Sequence, residues 1–470
     1  MAIIIEQKPL YNILPIGQQV IFAVSDDTIV ANKFKVKFIA QVFVSNTAIN
    51  LTSDTPIGTF KTTPNNEGVG IFDLRPVLET FVKSDNEGST FGNGSRYKQS
   101  HTIPVAQSVT HPMHLIDKFA VSENAIKFFA INFYVEYSDD ETGDIIDFTT
   151  LDPEATEQYI MFNGILQYDD VLTLTGGNYG YDLFKNGYDG FFLADNGNFL
   201  SNAPSTQYAR LTDYGTLPFL NFLPTADDRV QDIVLTYYWD GGSSTETVPQ
   251  SWTMGGVTNF GSSAFQNLLY FGAFPGNLQN WSGNFAAAIA SGLTHYTIQA
   301  NSDIGTTSQI TTINIICPNE RGYEGIRLTW LNQWGVWDYY TFNMKSTRSI
   351  STNRTSYTQL GGTWNEKNFK ISGYKGGKKN FRVNSTEKIK LNTDFVTEAE
   401  SVWFEELINS PEVYIVNGFS TDATDTITNK YIDPVTLTTS SYVIKTIAND
   451  KLMQYTIELE KSKMKRTQAV

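Results

Sequence analysis

Three of the chain's four histidines fall within fourteen residues, so metal chemistry is the first to weigh. His111-Pro-Met-His114 sets two imidazoles three apart with His101 close by, a short spacing that zinc sites use. Pro112 blocks a mid-helix presentation of the pair, and no cysteine joins them. Solvated loop histidines are the expectation, with no metal and no cofactor. Adjacent acids raise the second chemistry, glycoside hydrolysis, which needs two carboxyl groups at a fixed separation. Asp139-Asp140-Glu141, Asp169-Asp170 and Glu405-Glu406 are the candidates. Among 49 acidic residues some neighbours arise by chance, and turn acids or solvated helix faces account for these, as for Asp26-Asp27 and Asp227-Asp228. No calcium loop of the D-x-[DN]-x-[DN]-G type occurs, and neither a G-x-S-x-G elbow, a P-loop nor G-x-G-x-x-G is present. Cys317 precedes Pro318 after a strand-like run, which predicts a buried or strand-edge thiol without a role.

Aromatic and basic clusters remain. Trp334, Trp337, Tyr339 and Tyr340 are dense enough to stack on sugars, but they sit in a hairpin pattern beside Leu328, Trp330 and Leu331, where core packing explains them. Residues 366–390 hold eight basic side chains (Lys367, Lys370, Lys375, Lys378, Lys379, Arg382, Lys388 and Lys390) against two acids, a net +6. Gly373-Tyr-Lys-Gly-Gly-Lys-Lys379 reads as an exposed hairpin tip. Either it protects an edge strand, or it is a basic arm that docks on an acidic neighbouring subunit. The last ten residues add Lys461, Lys463, Lys465 and Arg466 with no acid, a basic tail on an acidic protein.

The elements that must position these residues are mostly β. Phe, Tyr, Trp, Thr, Val and Ile are abundant, and 35 glycines accompany many Asn, Asp and Ser, which suits strands joined by tight turns. Charged residues are only 18% of the 470 and aromatics 13%, which excludes a wholly disordered chain. A net charge of −15 disfavours general nucleic-acid binding. Apolar runs stop far short of the roughly 20 residues of a membrane helix, and the start carries no Sec-type signal pattern. One cysteine excludes an intramolecular disulfide.

Three β modules of sandwich or barrel type, with a few short helices, are expected at 1–150, 151–315 and 316–470. In the first, strands are read at 19–24, 33–44, 68–72 and 126–137. Phe34, Val36 and Phe38 alternate with Lys33, Lys35 and Lys37 across a core and a wet face. Phe129, Ile131, Phe133 and Val135 share another face, Asp73 caps a short helix through Phe81, and 85–110 reads as a long loop. The Gly/Asn/Tyr-rich middle module has turn signals through 179–199, strands at 232–239 and 296–300, and helices at 264–271 and 285–290. In the third, 326–342 is a hairpin turning at 332–335. Thr397-Glu-Ala-Glu400 is a capping box opening a helix over about 398–410, with Ala399, Val402, Trp403 and Leu407 as its core stripe, stopped by Pro411. Strands follow at 413–416, 442–445 and 454–460.

Several of these segments resemble structural tail and neck proteins of tailed phages of Bacteroidota-type hosts, including the crAss-like group. Leu328-Thr-Trp-Leu-Asn-Gln-Trp-Gly-Val-Trp-Asp-Tyr-Tyr-Thr-Phe342 is similar to their L-x-F-L-N-x-x-G-x-x-D-x-F-x-F segment. Residues 397–414 are similar to E-x-x-W-L-x-E-L-x-x-S-P-E-V-Y, and 449–468 to the same group's ending. Residues 68–77 fit more loosely. Trp330, Gly335, Trp337, Asp338, Phe342, Trp403, Leu407, Pro411 and Tyr414 carry the motifs. The resemblance implies a non-enzymatic ring, hub, collar or baseplate subunit of the virion. Its partners would be copies of itself in a symmetric ring and other tail or neck proteins, with no membrane and no nucleic acid beyond passing genome. An alternative is a tail protein that binds a host receptor or surface glycan, with a polysaccharide-degrading enzyme third.

Overall fold

In a computed structural model, residues 3–9, 12–47, 49–85, 113–116, 118–122, 124–166, 189–193, 196–221, 229–250, 264–316, 322–417, 432–439, 441, 443 and 453–466 are described. The described residues are mostly β, at 48% strand and 13% helix, with five short α-helices among them. It divides into two compact units. The first comprises the described residues of Met1–Ile316 with Leu331–Tyr339, and the second those of Cys317–Trp330, Tyr340–Asn417 and Lys430–Val470. Apart from Asp85 and Val443, the expected long loop at 85–110 and the strand at 442–445 lie outside the described residues, as do the turns through most of 179–199 and His101, His111, Asp169, Asp170, Asp227, Asp228 and Cys317.

The first unit begins with a β-sandwich. One sheet has the order β1 (Ile4–Gln7), β3 (Ile21–Ser25), β6 (Val69–Asp73). The other runs β2 (Ile13–Pro15), β10 (Ala155–Phe162), β8 (Ile126–Ser138), β4 (Phe34–Ser45), β5 (Gly58–Thr62), with β9 (Ile145–Ile146) paired to the end of β8. The expected face of Phe129, Ile131, Phe133 and Val135 is buried, in one core with Phe22, Val24, Phe38 and Phe72. Phe133 meets Phe22 and Phe72 with ring centroids 5.7 and 6.0 Å apart.

The alternation expected in β4 fails at its start. Lys35 takes φ +56° and the pairing with β8 shifts between Phe34 and Lys37. This β-bulge turns Phe34 outward, to 45% exposure, while Phe38 is fully buried. Between β3 and β4 lies α1 (Asp27–Asn32), with Asp26 as its N-cap. The expected cap at Asp73 is corrected: the N-cap of α2 (Arg75–Leu78) is Leu74, without a side-chain cap, and Asp73 one residue earlier accepts from the Arg75 backbone N–H; the helix is one turn followed by a 3-10 turn at Glu79–Phe81.

Two more sheets complete this unit. A three-stranded sheet orders β12 (Thr216–Leu220), β15 (Leu268–Gly272) and β7 (Phe119–Val121). The helix expected over 264–271 is therefore corrected: Ala264–Gln266 is a 3-10 turn and the rest is strand β15, every residue of it buried. A continuous apolar run of this length fits a buried strand as well as a helix. The five-stranded sheet runs β11 (Thr206–Ala209), β17 (Thr311–Ile315), β16 (Leu293–Ser302), β13 (Val230–Trp239), β14 (Gly242–Pro249). The one-turn α3 (Pro275–Leu278) precedes α4 (Gly283–Ala290). Phe285 of α4 packs on Tyr237 and Tyr296 of this sheet.

The second unit is built on an eight-stranded sheet. Its order is β19 (Trp337–Phe342), β18 (Ile326–Leu331), β22 (Val413–Val416), β23 (Ile432–Leu437), β24 (Thr456–Lys461), β21 (Gly377–Asn392), β20 (Thr347–Gln359). The last strand, β25 (Lys465–Arg466), pairs with β21. Helix α5 (Glu398–Asn409) opens with both halves of the expected capping box: Glu400 N–H donates to Thr397 Oγ1 at 3.2 Å, and Thr397 N–H to the Glu400 carboxylate at 2.8 Å. Its buried stripe is Ser401, Trp403, Phe404 and Leu407, about one position round from the expected one, which leaves Ala399 exposed and Val402 52% exposed.

Candidate functional site

The residues with the most recognisable chemistry are placed for structure. His114 is fully buried, its Nδ1 2.8 Å from the Tyr339 hydroxyl and its ring edge-on to Trp337. The expectation of a solvated loop histidine is thus corrected. The same buried region holds Asp85, whose carboxylate accepts from Ser122 Oγ (2.7 Å), Asn124 N–H (2.7 Å) and Tyr270 (3.2 Å), while its carbonyl accepts from the Trp337 indole. Asn277 donates to the carbonyls of His114 and Ile116 and accepts from Gly215 N–H. These groups tie loops to strands from inside.

Asp139, Asp140 and Glu141 are exposed at the turn after β8, and no group of three His, Cys, Asp or Glu side chains among the described residues is gathered as a metal would require. A shallow cleft of about 430 Å³ is lined by Val44, Asn46, Thr80, Phe81, Lys83 and Lys127, without a carboxylate. Trp334 and Trp337 are buried and Tyr340 half-buried, so core packing accounts for this aromatic cluster.

The motif residues likewise serve packing and turn geometry. In the first unit, Gly335 has φ +69° at the hairpin turn, and a Cβ there would sit 1.6 Å from the Asn163 carbonyl oxygen. Asn332 shapes that turn by accepting from the N–H groups of Trp334 and Val336. Trp337 and Asp338 are buried. In the second unit, Trp330 lies 4.8 Å from Trp403 between ring centroids, and Phe342 stacks on Phe404. Leu407 is buried, Pro411 is exposed just past the helix, and Tyr414 is half-buried with its hydroxyl toward Glu412.

What the structure leaves facing water is the hairpin of β20 and β21. Twelve of the thirteen residues of β20 are exposed. Its pairing with β21 runs from Thr347↔Lys390 to Gln359↔Gly377. The base is anchored in the sheet. Lys388 and Lys390 of β21 lie opposite Glu460 and Glu458 of β24 and pair with them at 3.8 and 3.1 Å. Lys465 of β25 reaches Glu387 at 3.1 Å, which holds that carboxyl below the usual carboxylate range. Beyond Asn384, the last β21 residue paired with β25, the ribbon has no strand on either side among the described residues. It continues for six pairs, roughly 20 Å at about 3.3 Å per residue.

The loop at its end folds on itself. Thr363 N–H donates to the Lys370 carbonyl, Lys370 N–H returns to Thr363 Oγ1, and Phe369 packs edge-on against Trp364 at 5.5 Å. Gly362, at φ +80°, is needed there because a Cβ would collide with the Phe369 ring. Trp364, Phe369, Ile371 and Tyr374 nevertheless stay 58–84% exposed. Around them stand Arg354, Lys367, Lys370, Lys375, Lys378, Lys379 and Arg382, none of which has a carboxylate partner among the described residues.

Of the tail cations, Lys461 is paired with Asp433 at 3.5 Å and Lys465 with Glu387, whereas Lys463 and Arg466 are exposed. The described part of the basic tail is therefore folded onto the sheet. Sequence reading found the ribbon's basic tip but missed its stem, because Thr-Arg-Ser-Ile-Ser-Thr-Asn-Arg has no apolar alternation to announce a strand.

No family model matches the chain, and no curated protein matches it. Among solved structures it is similar to the native conformation of E. coli alpha-2-macroglobulin at 6% identity, with a TM-score of 0.19 over 83% of this chain. The chain spans 22% of that protein's length, and a likeness this slight carries no argument.

Proposed function

We propose that this chain is a non-enzymatic structural subunit of a tailed-phage virion, a ring, hub, collar or baseplate component of the tail or neck that assembles through subunit–subunit interfaces. The observation that carries this reading is the β20–β21 ribbon. A two-stranded hairpin with both faces in water is marginal on its own. A cluster of exposed apolar side chains at its end is a surface that a soluble monomer has no use for. Such a projection gains its order and its purpose against another subunit, while the described groups able to do chemistry are either buried in packing or scattered on the surface. The phage-protein motifs at 326–342 and 397–414 add a second, independent line of support. Gold-labelled antibody against the chain, applied to intact purified particles, tests it: label at one axial level of the tail or neck is expected. Particles that contain none of the chain would refute it.

A further inference from the structure

Resting on that reading, we infer that the ribbon's partner is a second copy of this chain, and that the tip docks on the acidic edge formed by the turn after β8, strand β9 and the segment leading to β10. Charge points to this occupant. Residues 345–392 carry eleven basic and two acidic side chains, a surplus of nine, on a chain whose total is −15; the other 422 residues therefore carry −24. The ribbon is a cationic projection on an anionic body, so it repels its like and is attracted to the body of another copy.

Within that body, residues 138–158 hold eight acids and no base. Asp139 is paired with Lys33 and Glu157 with Lys8. Asp140, Glu141, Asp144, Asp147 and Asp152 are exposed; Lys33 and Lys61 act on Asp140 and Asp147 through space and Lys35 donates to the Gly143 carbonyl, yet the acids of this edge outnumber those three lysines. Ile145 lies among them, 43% exposed on the two-residue edge strand β9, and gives the tip's Trp364, Phe369 and Ile371 an apolar counterpart. Leu360 and Ile371, exposed at the tip, offer nucleic acid neither stacking nor charge, which favours a partner with an apolar edge. A tip on one surface and a receptor on another make a heterologous contact, the kind that closes into a ring.

Paired charge reversals in the full chain test this. One variant carries Lys375→Glu, Lys378→Glu, Lys379→Glu and Arg382→Glu; the other carries Asp140→Lys, Glu141→Lys and Asp144→Lys. All seven positions are at the surface, and circular dichroism checks that each variant is folded. Light scattering after gel filtration should find the wild type self-associated, more weakly as NaCl rises from about 0.1 to 1 M. Each variant alone should be at least about 100-fold weaker, and an equimolar mixture of the two should associate again. A wild type that stays monomeric, association that survives either reversal, or a mixture that stays monomeric would each overturn the inference. So would binding of a single-stranded oligonucleotide by the wild type that the ribbon reversal abolishes, which would assign the tip to nucleic acid. Association that ignores the reversals leaves the virion reading standing, because that reading is judged by whether particles contain the chain.

Discussion

The β4–β8 pair of the first unit and the β20–β21 pair of the second are both long antiparallel ladders, yet they have opposite surroundings. Eleven of the thirteen residues of β8 are buried, whereas twelve of the thirteen in β20 are exposed. The backbone hydrogen bonds are of the same kind in both. What differs is the side chains. Ile-Lys-Phe-Phe-Ala-Ile-Asn-Phe-Tyr-Val can be covered on both faces, and Thr-Arg-Ser-Ile-Ser-Thr-Asn-Arg can be left uncovered. The contrast teaches that strand formation and core formation are separable here, and that the uncovered ladder is where an outside partner adds most.

The comparison can be pressed first at the buried ladder. Phe133→Ala removes a ring that packs on Phe22 and Phe72 and should cost about 4 kcal/mol, read as an earlier denaturant midpoint for the first unit. If the change left the midpoint in place, the sandwich core would not be the source of that unit's stability. Next comes Thr397→Ala in α5, which deletes one half of the capping box and should cost about 1 kcal/mol in the second unit.

A smaller effect is expected from acid at the ribbon's base. The Glu387 carboxyl is lowered by its hydrogen bond from Lys465, and a lowered carboxyl stabilises the fold above its unfolded pKa and ceases to do so as pH falls through the folded one. Hydrogen exchange at Lys465 and Arg466 should therefore stay slow at neutral pH and quicken only below the ordinary carboxylate range, near pH 4. Lys465→Met should flatten that dependence. Smallest of all is Trp364→Ala, which should change the melting of the isolated chain by under about 0.5 kcal/mol. A large loss there would mean that the tip is part of a core and not a docking surface.

Legibility followed the strength of local physics. The capping box at Thr397 and Glu400 and the turn at Asn332–Gly335 were readable because each is completed by neighbours in sequence. The face of Phe129 to Val135 was readable because a period of two has one buried solution. Lys35 was not: a bulge depends on how two strands register, so Phe34 was misplaced. The α5 stripe came out one position off because Val402 is as apolar as its neighbours, and only packing distinguishes them. Ala264–Gln266 and β15 read as a helix in the sequence because a short apolar run has no period of its own. Asp85, Asn277 and Thr216, which meet Trp337, His114 and Tyr339 respectively through the core, gave no signal at all, since their partners are up to 252 residues away in sequence.

The amino-acid order by itself determined that the chain is mostly β, that its last third holds a capped helix beside a tight hairpin, and that a cationic segment sits on an anionic protein. Tertiary structure alone decided which aromatic residues face water: Trp334 and Trp337 are buried, and Trp364, with Phe369 and Tyr374, is not. The reason is that hydrophobicity is a property of a side chain, but burial is a property of its surroundings, and those are set by segments far apart along the chain.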